Sequence, residues 1–178
     1  MQDMKNTAAT RTAWVFGYGS LIWRQGFPFL ESRPAWIEGF GRRFWQGSHD
    51  HRGTAEEPGR VVTLIESPGE RCDGKAFLVS ADVFEHLDHR EKNGYVRHEL
   101  TIHTDAGDVA GVTYVAPYDN EAFLGAAPLG DIVAQIRRCR GESGPNDEYV
   151  LELARALRRL GVNDPHVFEI EAALGVIS

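Results

Sequence analysis

Hydrophobic and polar residues alternate over the first two thirds of the chain in short runs that predict β-strands. These runs are rich in Val, Ile, Thr and aromatic residues, and Gly, Pro and Asp separate them. The predicted strands span residues 13–18, 35–40, 60–66, 74–79, 96–103 and 108–116. Because helical patterns follow these strands, the sequence predicts an α+β domain.

Apolar residues recur every three to four positions in the segments predicted to be helical. One helix, residues 81–91, is capped by Ser80 and interrupts the strands. The other three helices follow residue 126, where residues that favour helix starts and glycines that favour helix ends recur. Their predicted boundaries are Pro128 and Gly141, Asn146 and Gly161, and Asp164-Pro165 and Gly175.

Glu91 occupies a position in the first helix where the pattern calls for an apolar side chain. Phe84, Leu87 and Glu91 fall at i, i+3 and i+7 on one face, so this carboxylate is predicted to point inward. An inward carboxylate without a matched cation has a raised pKa, which suits a group that takes and gives a proton near neutral pH. The alternative is a solvated glutamate at the helix end, paired with Arg90 or Lys92.

A glycine-flanked tyrosine follows the first predicted strand. The hydrophobic run from Trp14 ends at Gly17-Tyr18-Gly19, where two glycines allow a sharp turn with outward-pointing backbone N–H groups. Such a turn is an anion site, or else only a tight strand exit. The segment lacks the Lys-Ser/Thr ending of a phosphate loop and the third glycine of a dinucleotide fingerprint, which disfavours nucleotide binding.

Composition and charge narrow the class of partner. The 178 residues are 42% hydrophobic, enough for one core, so we predict a single domain over residues 13–178. Residues 1–12 are polar and are predicted to form a flexible tail. The formal charge of -7 argues against nucleic acid or an anionic membrane as the main partner. No run approaches the roughly twenty apolar residues that a spanning helix needs.

The two cysteines and the paired histidines give no strong chemical signal. Cys72 and Cys139 imply no disulfide framework, fit a reducing cytoplasm, and have no adjacent base that would make either a nucleophile. His49 and His51 share one face of an extended segment, but no third ligand stands at a recognised spacing. We therefore predict polar loop histidines and no metal.

Several other side chains are compatible with two roles each. Trp45 could form a flat wall for a small peptide, beside the amide of Gln46, or could belong to the core. The pair Arg42-Arg43 could steer an anionic substrate or face solvent. Tyr149, near a helix start, could place its hydroxyl in a site or cover the predicted strands.

Sequence blocks in a specific order resemble the ChaC-like γ-glutamylcyclotransferases. Together they cover nearly the whole chain after about residue 12. The blocks are residues 14–23, 41–54, 58–64, 87–95, 114–116, 123–125 and 143–150.

This resemblance implies a small mixed β-barrel with packed helices that cleaves glutathione into 5-oxoproline and cysteinylglycine without a cofactor. It implies that Glu91 is the catalytic glutamate and that residues 18–21 form the substrate loop. The alternatives are the same reaction on other γ-glutamyl amino acids or γ-glutamylamines, or a γ-glutamyl-binding module without turnover. No oligomeric state is predicted. The predicted substrate-binding residues are Tyr18, Gly19, Ser20, Leu21, Trp45, Gln46, Tyr95, Tyr114 and Tyr149.

Overall fold

The computed structural model describes residues 11–90 and 95–175, and the side chains of these residues except 88–90. The strands are β1 (Thr12–Gly17), β2 (Glu31–Ser48), β3 (Gly59–Ser80), β4 (Val96–Thr104), β5 (Gly107–Val115), β6 (Arg140–Gly141) and β7 (Gly144–Pro145). The helices are a 3-10 turn (Ser20–Ile22), α1 (Ala81–Arg90), α2 (Leu129–Arg138), α3 (Asn146–Arg159) and α4 (Pro165–Leu174).

The first five strands close into a barrel in the order β1-β3-β2-β4-β5. Neighbouring strands in this order are antiparallel. The barrel closes through a parallel pairing of β5 with β1, in which Trp14 faces Gly111 and Val15 faces Val112. The sheet is therefore mixed, and the predicted α+β class with a small mixed barrel is confirmed.

Strands β2 and β3 are much longer than predicted. The sequence predicted two strands at residues 60–66 and 74–79, but β3 is continuous through Ser67-Pro68-Gly69-Glu70. The β2–β3 pairing changes register between Glu38 and Phe40, and Gly39 and Gly69 both adopt φ +86. The turn-like residues thus form an irregularity within the ladder, because a bulge bends paired strands without ending them.

Three hydrophobic clusters fill the molecule. Inside the barrel, Phe16 packs with Ile37, Leu64 and Ile102. A second cluster joins Val15 of β1 to Leu87 of α1, and a third lies between the barrel and helices α2 to α4. Leu87 is only 3% exposed, and Val83 and Phe84 pack against its cluster, so the inward position predicted for Phe84 and Leu87 is confirmed. Glu91, the third predicted member of this face, lies outside the described residues.

The helix boundaries agree with the sequence at several ends. The Val83 amide donates to Ser80 Oγ at 3.4 Å, as expected of a cap. Asp164 caps α4 by accepting from the Val167 amide, and Gly175 ends α4 in the left-handed conformation. In the parts of the chain that the structure describes, no helix is long and apolar enough to cross a membrane.

The predicted helix cap at Asn146 is wrong. Asn146 is the first residue of α3, and its side chain makes no cap hydrogen bond. The Asn146 side-chain amide is fully buried and instead exchanges two 2.8 Å hydrogen bonds with the main chain of Arg60 in β3. It therefore ties the start of α3 to the barrel, a long-range role that local pattern does not reveal.

The N-terminal end of the described chain also contacts α1. Strand β1 begins at Thr12, and the Arg11 carbonyl accepts from the Ala81 amide at 3.1 Å. Residues 1–10 of the predicted tail lie outside the described residues.

Helix α4 contacts the barrel through His166. The Phe44 amide donates to His166 Nε2 at 3.0 Å, so this nitrogen must be unprotonated. Burial, reinforced by the nearby Arg43 guanidinium, lowers the pKa of His166 from 6.5 to about 4. Asp164 and Glu70 oppose this change, and Arg42 adds to it.

We predict that His166 makes the fold less stable as the pH falls from about 6.5 to about 4. In this window the unfolded chain binds a proton at position 166 that the folded chain excludes, so stability falls with decreasing pH. The His166→Gln variant keeps a hydrogen-bond acceptor but does not titrate. Urea unfolding at pH 7 and pH 4.5 should show the stability advantage of the parent shrinking at the lower pH. A constant difference would contradict the assigned burial of neutral His166.

Candidate active site

A cavity of about 930 Å³ opens at one end of the barrel. Its wall comes from the carboxyl ends of β1, β2 and β5 and from the beginning of β3, which the strand pairing places at the same end. The volume lies in the range of small-molecule sites. Of the predicted substrate-binding residues, Tyr18, Gly19, Ser20, Leu21, Gln46, Tyr95, Tyr114 and Tyr149 line this cavity.

The glycine loop, residues 17–21, leads from β1 into the 3-10 turn along the cavity wall. The Ile22 amide closes the turn by donating to the Gly19 carbonyl at 3.0 Å. The amides of Gly19, Ser20 and Leu21 donate to no backbone acceptor in the described part of the chain. Amides at the start of a helical turn lack internal partners, so this loop can meet an anionic group with N–H dipoles already in place.

Gly19 is closely packed against β3 and α3. Its backbone, at φ -130° and ψ -129°, lies outside the left-handed region that favours glycine. A Cβ at this position would lie 3.0 Å from Val62 Cγ2 and 3.1 Å from Tyr149 Oη. The absence of a side chain therefore lets the loop approach β3 and α3 closely.

Arg42 binds the glycine loop from outside the cavity wall. Its Nε donates to the Tyr18 carbonyl at 2.8 Å, and its Nη1 contacts Asp164 Oδ2 at 2.7 Å. Its Nη2 donates to the Asp73 carbonyl. The residue is 2% exposed and lies outside the cavity wall, so both predicted alternatives for Arg42, substrate steering and a solvent-facing position, are wrong.

Arg43, the neighbour of Arg42, forms a two-pronged pair with Glu70. Its Nη2 lies 2.8 Å from Glu70 Oε1, and its Nη1 donates to Glu70 Oε2 at 3.0 Å. Arg43 is also absent from the cavity wall. The Arg43 guanidinium therefore pairs with a carboxylate of the protein itself, at the irregularity in the β2–β3 ladder.

Tyr149 supplies a hydroxyl to the cavity from the first turn of α3. Its ring packs edge-on against Trp23 and Phe44, and its Oη accepts from the Val62 amide at 3.3 Å. Burial raises the pKa of Tyr149 well above its usual value of 10, so the hydroxyl stays protonated at neutral pH. This side chain lines the cavity and also belongs to the core, so its position is compatible with both predicted alternatives.

Gln46 is fixed on the cavity wall by a side-chain amide pair with Asn120. Gln46 Nε2 donates to Asn120 Oδ1 at 3.0 Å, and Asn120 Nδ2 donates to Gln46 Oε1 at 3.2 Å. Trp45, the adjacent predicted residue, is not part of the wall. Its carbonyl accepts from the amides of Leu124 and Gly125, so its visible role is to anchor the loop that carries Asn120.

Three tyrosines surround the remainder of the opening. Tyr18 Oη donates to the Tyr114 carbonyl at 2.7 Å, which links the glycine loop to the end of β5. Tyr114 is 9% exposed, whereas Tyr95, which precedes β4, is 38% exposed. All three contribute to the cavity wall.

The exposed loop that contains His49 and His51 lines the cavity where it opens to solvent. His51 Nδ1 lies 2.8 Å from Ser143 Oγ, and His49 also lines the cavity. Within residues 11–90 and 95–175, no group of three or more His, Cys, Asp or Glu side chains is arranged to hold a metal ion.

The two cysteine thiols are buried and are not activated as nucleophiles. Burial raises the pKa of Cys72 to about 11 and also raises that of Cys139, so both remain protonated at neutral pH. Neither cysteine lines the cavity, which agrees with their interpretation as inert.

Glu91, the predicted catalytic residue, lies outside the described residues. The chain is described up to Arg90, at the end of α1, and again from Tyr95, on the cavity wall. The assignment of Glu91 therefore stays a prediction.

The sequence and fold match a known family. A family model described as ChaC-like protein matches residues 13–176. The chain belongs to the ChaC-like family. The resemblance on which the sequence analysis relied is thus confirmed.

Relatives of this ChaC-like chain carry names from one enzyme class. γ-Glutamylcyclotransferase 2-3 of Arabidopsis thaliana is 46% identical over 153 residues, which cover 79% of this chain and 77% of the plant protein. Glutathione-specific γ-glutamylcyclotransferase 1 of Homo sapiens is 39% identical over 161 residues, covering 85% and 72% of the two chains. The crystal structure of a yeast γ-glutamylcyclotransferase specific to glutathione superimposes with a TM-score of 0.82 at 29% identity, covering 92% of this chain and 96% of the yeast chain.

The site also contains residues that the sequence analysis did not single out. Arg24, Arg52, Val62 and Asn120 line the cavity of this ChaC-like chain. Arg52 lies in a block that carried the family resemblance, but its position depends on contacts with β7, more than 90 residues later. Only Arg52's charge in a polar loop was visible in the sequence, and that feature alone does not indicate a site.

We predict that Gly19→Val lowers catalytic efficiency with a γ-glutamyl substrate by at least about tenfold, because displacing catalytic groups by even an ångström is costly. The new side chain would push against Val62 and Tyr149. Gly130→Val is the matched control, since a Cβ there meets nothing within 4 Å. Kinetics and melting temperatures should be measured for both. A Gly19→Val protein with parental kinetics would contradict the close-packing role.

Proposed function

We propose that this chain is a γ-glutamylcyclotransferase that cleaves glutathione to 5-oxoproline and cysteinylglycine. One observation carries the proposal: the glycine loop and the Tyr149 hydroxyl meet in one wall of a cavity large enough for a small peptide. The names of the human and yeast relatives support glutathione as the substrate.

The reaction is an intramolecular acyl transfer. The substrate's α-amine attacks its own γ-carbonyl carbon, a new C–N bond closes the five-membered lactam, and the bond to the cysteinyl nitrogen breaks. Nucleophile and electrophile arrive joined, so the protein needs to orient them and does not need to supply a nucleophile. This fits a cavity whose described wall contains neither of the two buried cysteines.

Proton transfer is the task we propose for Glu91. The α-ammonium must lose a proton before it attacks, and the departing cysteinyl nitrogen must gain one as its bond breaks. A second proton leaves the attacking nitrogen as the lactam forms, and the released amine ends as an ammonium, so protons balance overall. A single carboxylate can accept the first proton and return it to the leaving group. The buried face of α1, and the return of the chain to the cavity at Tyr95, support this position for the base.

The glycine loop is proposed to bind the γ-glutamyl half. Its amides suit either the α-carboxylate or the negative charge that develops on the γ-carbonyl oxygen, since both are anionic oxygens. The Tyr149 hydroxyl, protonated at neutral pH and close to Gly19, can donate to the same group. Gln46, held by Asn120, contributes an amide on the facing wall.

We also propose that residues 13–178 act as one domain and that the protein works in the cytoplasm. The family match over residues 13–176 supports the first proposal. Two free, buried cysteines support the second, since a reducing compartment keeps thiols unpaired.

The proposal is tested by incubating the purified protein with glutathione and measuring 5-oxoproline. The parent should release 5-oxoproline and cysteinylglycine in equal amounts. Glu91→Gln keeps the shape of the side chain but cannot take a proton, so turnover should fall by about 100- to 10,000-fold. Glu85→Gln, an exposed position on α1, is the control and should keep parental turnover.

Two results would count against this proposal in different ways. No 5-oxoproline from the parent would reject the reaction itself. Turnover of Glu91→Gln within about threefold of the parent would leave the reaction standing and reject Glu91 as the proton carrier.

A further inference from the structure

A buried arginine on the cavity wall has no role in the proposed cyclisation. Arg52 is 3% exposed and lines the cavity. Its Nη1 donates to the Pro145 carbonyl at 2.9 Å. Its Nε and Nη2 make no hydrogen bond with the part of the chain that the structure describes. A guanidinium therefore has donors to spare at the edge of a peptide-sized cavity.

The main chain around Arg52 is held in place before any ligand binds. The Arg52 amide donates to Ser48 Oγ at 3.0 Å. The carbonyls of Asp50 and His51 accept from the amides of Glu142 and Ser143, both at 2.9 Å. The loop is thus fixed at both the β2 end and the β6–β7 connection, which pre-organises the guanidinium.

The charge of Arg52 is only weakly balanced. The nearest carboxylate oxygen among the described residues, Glu148 Oε1, lies 3.9 Å from Arg52 Nη1 on a half-exposed side chain. Burial lowers the pKa of Arg52, Glu148 opposes this change, and the positive charge of Arg24, also on the cavity wall, lowers the pKa further. A buried cation whose carboxylate partner lies beyond hydrogen-bond distance is costly, and an incoming anion would offset that cost.

Two acidic residues among those described, Asp50 and Glu121, line the same cavity but do not neutralise Arg52. Asp50 Oδ1 accepts from the His51 amide at 2.6 Å, and this side chain is largely exposed. Glu121 is also exposed, and it forms no ion pair with Arg52. Among the described residues, therefore, no carboxylate pairs closely with Arg52, and its remaining donors are available to an anionic group of the ligand.

Tyr149 separates Arg52 from the glycine loop. The Tyr149 hydroxyl lies at Gly19, whereas the Arg52 guanidinium lies 5.8 Å from the centre of the Tyr149 ring. A substrate whose γ-glutamyl half is held at the loop can extend its leaving dipeptide, about 7 Å when fully extended, along this ring. The end of that dipeptide is a carboxylate, the group that a guanidinium binds best.

We propose that Arg52 binds the terminal glycine carboxylate of glutathione and so determines specificity for a leaving group that ends in a carboxylate. This inference rests on the proposed glutathione reaction. It assigns the γ-glutamyl and glycyl carboxylates to different places, the glycine-loop side and Arg52. A γ-glutamylamine, which lacks the second carboxylate, gains nothing from Arg52.

The test compares glutathione with its glycine monoethyl ester, which differs only in the blocked terminal carboxylate. The parent should show kcat/KM at least about tenfold higher for glutathione, as expected of one charge-assisted hydrogen-bonded pair. Arg52→Gln should lower kcat/KM for glutathione by a similar factor and leave the ester within about threefold of its parental value. Arg155→Gln, an exposed arginine on α3, is the control and should keep the parental ratio.

Arg52→Lys guards against a variant that fails to fold. It keeps the charge but loses the planar, two-pronged geometry, so the preference for glutathione over the ester should fall by at least about threefold. A parental ratio in Arg52→Lys together with a parental ratio in folded Arg52→Gln would overturn the assignment.

Other outcomes separate this inference from the function on which it rests. If the parent cleaves glutathione and the ester equally well, Arg52 does not read the glycine carboxylate, although the reaction stands. If Arg52→Gln slows both substrates by the same factor, Arg52 serves the γ-glutamyl half, and the assignment is also overturned. If the parent releases 5-oxoproline from neither substrate, the proposed function itself fails.

Discussion

The buried guanidinium of Arg42 joins four segments that are far apart in the sequence. It belongs to β2, donates to the carbonyl of Tyr18 in the glycine loop and to that of Asp73 in β3, and pairs with Asp164 at the start of α4. Each acceptor satisfies a different edge of one planar group. The position of the glycine loop relative to the barrel and the helices therefore depends on this one side chain.

Asp164 links the Arg42 contacts to the start of helix α4. One of its oxygens accepts from the Val167 amide as the α4 cap, and the other contacts Arg42. Removing one member of a buried pair leaves an uncompensated charge and costs roughly 3 to 5 kcal/mol. The same carboxylate thus stabilises a helix end and holds the cation that fixes the loop. Pre-organised amides are what a site for an anionic group needs, since they cost no reorganisation when the group arrives.

Local features of the fold could be predicted because their causes are local. The run that ends at the glycine loop, the Ser80 cap and the Asp164-Pro165 helix start all depend on neighbouring residues, and all are confirmed. The length of β2 and β3 depends on pairing across the sheet, so turn residues inside β3 suggested a break that the ladder overrides. Asn146 failed as a cap for the same reason, since Arg60 is its partner.

The residues of the site also divide into those with local signals in the sequence and those placed by long-range contacts. The glycine loop was visible as a local pattern after β1, and Tyr95 and Tyr114 were named through the family resemblance, while the positions of Arg52 and Asn120 depend on contacts between distant loops. Adjacent arginines illustrate the limit: nothing local distinguishes Arg42, which is buried behind the loop, from Arg43, which pairs with Glu70.

The structural role of Arg42 is tested most directly by comparing Arg42→Lys with Arg43→Lys. The first variant keeps a positive charge for Asp164, but an ammonium cannot also reach the carbonyls of Tyr18 and Asp73 in their present places. Below the melting temperature of both variants, kcat/KM for glutathione should fall at least about tenfold in Arg42→Lys and stay within about threefold in Arg43→Lys, because small displacements of a binding loop cost rate. A folded Arg42→Lys protein with parental kinetics would contradict the dependence of the site on this side chain.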